Sequence, residues 1–243
     1  MKVTVAYIEE PPFYWTGADH RATGADIELA DVVLRATGAT SIEYHLTTFE
    51  ELLPGVRAGR WDMNVPTFAT DERAKQVAFS VPVWALGDGF VVQRGNPKVL
   101  TSYEVIAARS DARLGVITGQ VQHEMAKAAG VGHEQIVIFK DQAEAVSALL
   151  QGRIDAFVGT ALGNRALANS NPALGAVAHA DGQAGNVRVG AFSFAQGNKA
   201  LLPAVNEYLR RYLGSEDHRA LMAKYGFARM EIDGALAPSG AKS

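Results

Sequence analysis

The sequence predicts an α/β protein. Short apolar runs of strand character recur from Val3 to Phe194, and amphipathic helical stripes fill the gaps between them. That alternation is the pattern of sheets with helices packed on their faces. A third observation is an internal echo: Gly59-Arg60-Trp61-Asp62-Met63-Asn64-Val65-Pro66-Thr67 and Gly152-Arg153-Ile154-Asp155-Ala156-Phe157-Val158-Gly159-Thr160 share G-R-x-D-x-x-V-x-T, each after an amphipathic helix. In both, the glycine would end a helix, the arginine and aspartate would start a strand, and the threonine would emerge at its carboxyl end. Open α/β sheets bind ligands outside the carboxyl ends of their strands. The two segments therefore either face each other across a cleft or are a chance repeat of a common helix-turn-strand pattern.

Strands are expected near Val3 to Ile8, Ile42 to Leu46, Met63 to Val65, Gly89 to Val92, Leu114 to Ile117, Ile136 to Phe139, Ala156 to Val158 and Arg188 to Phe194, from apolar alternation or short apolar runs. Ile27, Ala30, Val33 and Leu34 form one helical stripe, and Gly38 is placed to stop it. Similar stripes run over Glu50 to Ala58, Gln122 to Ala129, Gln142 to Leu150, Leu201 to Leu213 and Asp217 to Tyr225. Polar Ser170 to Pro172 and Asp181 to Asn186 read as loops, and the residues after Asp233 as a frayed tail.

Composition removes several function classes. A chain of 243 residues, 48% hydrophobic and 20% charged, can bury a sizeable core as one large domain or two small ones. The net charge of -3 gives no basic footprint for nucleic acid. No cysteine is present, so disulfides and thiolate chemistry are excluded, and the six histidines lack metal-ligand spacing and read as surface residues. Neither a metal nor a cofactor is implied. No apolar run approaches the roughly 18 residues that span a bilayer.

The segment Thr70-Asp71-Glu72-Arg73-Ala74-Lys75-Gln76-Val77-Ala78-Phe79-Ser80-Val81-Pro82 is the most informative. Thr70 can cap the following helix, and the N–H groups of that turn with Arg73 would make a preformed site for a carboxylate. The alternative is an arginine on a solvated helix face. Written T-x-E-R-x-K-x-V-x-F-S-x-P, the segment resembles the signature of the amino-acid class of bacterial extracytoplasmic solute-binding proteins. Gly24-Ala25-Asp26-Ile27-Glu28-Leu29-Ala30 is similar to that family's G-[FY]-[DE]-[IVL]-[DE]-[LIV] element, and Lys2 to Phe13 resembles its opening strand and Pro-Pro-Phe loop. The resemblance spans residue 2 to about Phe227.

What the resemblance implies is a two-lobed periplasmic-binding-protein type II fold, a Venus flytrap with two hinge crossings. Lobe 1 would comprise residues 1–87 and 187–243, and lobe 2 residues 88–186. The chain would leave lobe 1 near Trp84 to Asp88 and return near Gln183 to Arg188, with Gly87, Gly89, Gly182 and Gly185 free to absorb hinge rotation. It also implies a periplasmic or membrane-anchored extracellular protein whose export segment is replaced by Met1, a small solute and an ABC permease as partners, and a monomer.

The same alignment marks the binding residues. Glu10 stands where many amino-acid binders place an aromatic, or is an exposed loop acid, and Phe13 is a ligand wall or a core ring. Phe49 opens the second helix where the family often holds a ligand-facing aromatic, or else staples that helix. Phe68, expected in a loop, replaces a small hydroxyl residue that helps hold an α-ammonium group. Thr118 and Gln120 match a helix start that offers donors, though Gln120 could equally be an ordinary cap. Thr160 replaces the family's usual aspartate partner of an α-ammonium. Trp15 is a candidate for the cleft rim, while Trp61 and Trp84 are expected to pack at strand ends. Burying an ammonium without a counter-charge costs several kcal/mol, so a standard α-amino acid fits poorly unless Glu10 takes over. Three aromatics, one carboxylate and Arg73 suit a compact zwitterion with a delocalised cation. In this the set resembles the ectoine and hydroxyectoine binders of the family. An opine, betaine or modified amino acid offers similar charges. A second class is a dehydratase similar to cyclohexadienyl dehydratase, for which Glu10 would be the general acid; a third is a receptor module of a larger chain.

Overall fold

The structure, a computed structural model, describes residues 1–180 and 187–236. The first elements are β1 (Lys2–Tyr7), β2 (Trp15–Thr16), β3 (Ala22–Thr23), α1 (Ala25–Ala36), β4 (Ser41–Leu46), α2 (Phe49–Arg57), β5 (Met63–Phe68), α3 (Asp71–Ala74), β6 (Ala78–Phe79) and β7 (Trp84–Leu86). There follow β8 (Asp88–Gln93), α4 (Tyr103–Ala107), β9 (Leu114–Ile117), α5 (Val121–Ala128), β10 (Ile136–Phe139), α6 (Gln142–Leu150), β11 (Ala156–Thr160), α7 (Ala161–Ser170) and β12 (Leu174–Ala178). The chain ends with β13 (Arg188–Phe194), α8 (Leu201–Tyr212), α9 (Glu216–Ala223) and α10 (Arg229–Leu236).

These elements build two lobes, each on its own sheet. One sheet has the order β4-β1-β5-β13-β6 with β7 also on β13, and the other β10-β9-β11-β8-β12. Each lobe buries its own core: Val5, Leu29, Met63 and Phe192 lie in the first, Phe90, Leu114 and Val158 on one face of the second sheet, and Phe157 and Leu149 on the other. Only Gly87 separates β7 of the first sheet from β8 of the second. The return runs between Ala178, the last residue of β12, and Arg188, the first of β13. Gly182, Gln183 and Gly185 lie outside the described residues. Gly89 is inside the β8 ladder, where a Cβ would lie 2.9 Å from the Val177 carbonyl oxygen, so close packing accounts for it.

The first loop is held by a helix terminus. The N–H groups of Ala25 and Asp26, which have no intrahelical partner, donate to the carbonyls of Pro12 and Phe13 at 3.0 and 2.9 Å. Gly24 makes this approach possible: its φ is +126°, and a Cβ there would lie 2.3 Å from the Phe13 oxygen. The motif Gly24-Ala25-Asp26 is thus an anchor for the loop that carries Glu10 and Phe13.

The internal echo is structural. Gly59 and Gly152 have φ of +69° and +70° just after α2 and α6. Asp62 and Asp155 each accept, at 2.8 Å, a backbone N–H from the neighbouring strand segment, of Thr4 and Arg113 respectively. Their strands, β5 and β11, then rise to the same cavity.

Several elements escape or outrun the sequence reading. β6, β7 and β12 are short and lack alternation, α7 follows β11 without a loop, and β5 continues through Phe68, so that residue is not in a loop. Helix α10 runs past Asp233 to Leu236, correcting the frayed tail there. His179 and His218 are buried, not on the surface: His179 accepts the Tyr103 N–H through Nε2 and His218 that of Gly214 through Nδ1. No described helix is long and apolar enough to cross a membrane.

Candidate functional site

A cleft enclosing about 360 Å³ of empty space, part of it open to solvent, lies at the carboxyl edges of both sheets. Glu10, Phe13, Phe49, Phe68 and Arg73 line it from one lobe, Gln120 and Thr160 from the other. The three phenylalanines therefore meet at one cavity. Thr118 is not among the lining residues; its backbone N–H is tied to the Phe139 carbonyl at 3.0 Å, beside the parallel pair β9 and β10.

Arg73 is positioned by its cap. Thr70 Oγ1 accepts the Arg73 N–H at 3.2 Å, opening α3 as expected. The buried guanidinium donates to the Phe68 carbonyl at 2.8 Å and, across the cleft, to the Gly119 carbonyl at 3.0 Å. It also stands 5.2 Å from the Phe49 ring centre. Among the described residues no carboxylate lies within 4 Å of it. Burial pulls its pKa down to about 10, and the nearby Arg188 acts in the same direction. A guanidinium held by neutral carbonyls in a partly dry site is primed for a carboxylate.

Glu10 carries the opposite charge. Its backbone closes a tight turn with Tyr14, and the Tyr14 hydroxyl donates to its carboxylate at 3.5 Å. Part of the side chain stays open to the cleft, but its surroundings desolvate the carboxylate and push its pKa up to about 7. Among the described residues no cation lies within 4 Å of it. Asp26 sits deeper, fully buried, accepting the Trp84 indole N–H at 3.2 Å, and desolvation holds its carboxyl well above the usual range.

The aromatic wall is larger than expected from sequence. Trp84 lines the cavity from the first position of β7, edge-to-face with Phe68 at 5.5 Å and 5.8 Å from Phe13. Placing it as strand-end packing was half the answer. Trp15 instead meets Tyr225 edge-on, and Trp61 donates its indole N–H to Asn64. Tyr14, Pro66, Thr67, Val121 and Gln122 complete the wall. Thr67 was marked only by the echo, as the counterpart of Thr160; its buried hydroxyl has no hydrogen-bond partner among the described residues. Thr160 caps α7, accepting the Gly163 N–H at 3.1 Å, which leaves its own O–H to donate. Gln120 caps α5 without a side-chain bond to the first turn, so that helix presents N–H donors at Val121 and Gln122.

Residues 3–228 match the bacterial extracellular solute-binding proteins, family 3, and the chain belongs to that family. A probable amino-acid ABC transporter periplasmic-binding protein of Sinorhizobium fredii is 29% identical over 93% of this chain and 77% of its own. Among solved structures, EhuB in complex with hydroxyectoine has a TM-score of 0.87 at 27% identity, covering 97% of this chain and 91% of that one. An ancestral arginine-binding protein bound to glutamine has a TM-score of 0.81 at 26% identity, over 93% and 97% of the two chains.

Proposed function

We propose that this chain captures a compact zwitterionic, amino-acid-like solute between its lobes, with ectoine or hydroxyectoine favoured, and presents it to the permease of an ABC importer. The observation that carries this reading is the charge map of the cavity: among the described residues, Glu10 without a cation within 4 Å and Arg73 without a carboxylate within 4 Å line one aromatic-walled space. The solute carboxylate would go to Arg73 and the α5 donors, and its cation to Glu10. Because Arg73 and Arg188 already stand over the Phe49 and Phe68 rings, those rings act mainly as a wall that excludes water, and Glu10 supplies most of the attraction for the cation. Thr160 offers no charge to an α-ammonium, which disfavours ordinary α-amino acids. The similarity to EhuB supports the same choice.

This assignment treats residues 1–87 and 187–243 as one lobe and 88–186 as the other, and the protein as a monomeric, extracytoplasmic binder without catalytic activity. A dehydratase would need a second placed acid or base from the other lobe, where the lining residues Gln120, Gln122 and Thr160 carry none. The ancestral amino acid-binding protein described as a precursor of cyclohexadienyl dehydratase, 24% identical, shares the fold.

Calorimetric titration of protein stripped by unfolding and refolding tests the reading, with ectoine and hydroxyectoine beside α-amino acids, glycine betaine and opines. Tight binding of ectoines alone is expected. Tight binding of an ordinary α-amino acid, with none of the ectoines, would overturn the ligand choice.

A further inference from the structure

The two crossings carry a charged pair that neither the cavity nor the family motifs explain. Asp88, the first residue after Gly87, is fully buried and begins the crossing into the second sheet. Arg188, the first residue of β13, returns to the first sheet, where it pairs with Leu86 of β7. Their side chains meet at 2.6 Å. Asp88 also accepts the Tyr103 hydroxyl at 2.9 Å and the Gln122 amide at 3.1 Å. Arg188 donates to the Met125 sulfur of α5 and stands 4.9 Å from the Phe68 ring centre.

We infer that Asp88 and Arg188 form a clamp across the hinge, which holds the lobes at the closed angle and positions Phe68 and Gln122 on the cavity wall. The geometry gives each partner a reason to be there. Rotation of one lobe about Gly87 moves Asp88 with the second sheet and Arg188 with the first, so opening separates the charges or drags α5 with them. A buried carboxylate with three donors tolerates that separation poorly, because losing the guanidinium leaves a buried charge without its counter-charge. Phe68 and Gln122 both line the cavity, so the pair touches the solute site from behind at one residue of each lobe. Arg188 and Asp88 are positioning residues; neither lines the cavity.

The inference rests on the solute-capture reading for one of its two readouts only. The chain has no cysteine, so nitroxide labels at Leu46→Cys and Lys140→Cys, exposed residues on the two sides of the cleft-mouth groove, report the lobe separation without background. In the empty protein, Asp88→Asn, Arg188→Gln and the milder Arg188→Lys are expected to shift the distances longer and broaden them. The Asp88→Asn, Arg188→Gln double variant should be no more open than the worse single variant. With hydroxyectoine as probe, Kd should rise about tenfold if the closed fraction falls tenfold. Unchanged distances in variants that melt cooperatively near the wild-type temperature would overturn the clamp, as would single-variant shifts that add in the double variant. Failure of hydroxyectoine to bind any form, with the distances shifted as expected, would sink the ligand choice and leave the clamp standing.

Discussion

Glu10 is the residue on which the chemistry turns. Burial raises its pKa from 4.5 to about 7, so the folded, empty protein binds a proton there that the unfolded chain has already lost between those two values. The stabilisation is fully present below about pH 4.5 and is lost as pH rises through about 7. Above that, the ionised and unpaired carboxylate should cost the empty protein roughly 1–3 kcal/mol. Glu10→Gln should flatten this pH dependence of the urea midpoint and stabilise the empty protein at pH 8. A cationic solute reverses the preference, because it binds the ionised form. Its affinity is expected to fall about tenfold per pH unit below 7 and to level off above, with proton release visible as a buffer-dependent calorimetric enthalpy. A Kd that stays constant from about pH 5.5 to 8 would remove Glu10 as the counter-charge. Arg73→Gln should weaken binding of a carboxylate solute by about 2–4 kcal/mol, since the site loses the cation proposed to pair it and the solute keeps its charge. Methyl esterification of the solute should then cost the variant little, and a large further loss would contradict the pairing.

At the scale of elements, the anchor between α1 and the first loop decides whether Glu10 and Phe13 reach the cleft. Gly24→Ala would put a Cβ into the Phe13 carbonyl and force a side-chain residue to hold φ of +126°. The expected cost is about 2–4 kcal/mol, read as a lower urea midpoint, together with weaker solute binding because the loop must move. Wild-type affinity in a destabilised Gly24→Ala protein would show that the loop is placed by other contacts. How much of this was legible in the sequence follows from what each signal depends on. Repeating apolar patterns marked β9, β10, α6 and β13 to the residue, since burial on one face imposes a period. Thr70 was legible as a cap because hydroxyl-to-backbone bonds are local. By contrast, Trp84 and Thr67 owe their place on the cavity to long-range strand pairing of β5 and β7 with β13, and sequence spacing carries no record of which strands become neighbours. The buried His179 was misplaced for the same reason, since Tyr103, whose N–H it accepts, is 76 residues away; His218 was misplaced although the Gly214 N–H it accepts is only four residues away, because no motif announces that helix junction. Thr118, which is not among the lining residues, differs. Its motif match located the turn correctly, but the side-chain direction depends on the β9–β10 register.

The whole molecule has a core on each sheet, joined by two crossings, and a solute that touches both should stabilise them together. At a free concentration 100 times Kd the gain is about 2.7 kcal/mol, which for a chain of this size is a rise of about 5–10 °C in Tm. A single cooperative transition that moves upward as one is the expected melting curve. If only part of the unfolding signal shifts, the solute is held by one lobe and does not bridge the cleft. The anchoring of the first loop has a wider consequence for such a molecule. Pro12 and Phe13 hold it through carbonyl oxygens, which every residue possesses, whereas Glu10, on the reading proposed above, would address the solute through a group that can be exchanged. Scaffold and vocabulary are therefore written in different atoms. On that reading, positions 10, 49, 68 and 160, which all line the cavity, would form a small alphabet to be respelled for another cargo while the hydrogen bonds of the loop anchor are left untouched.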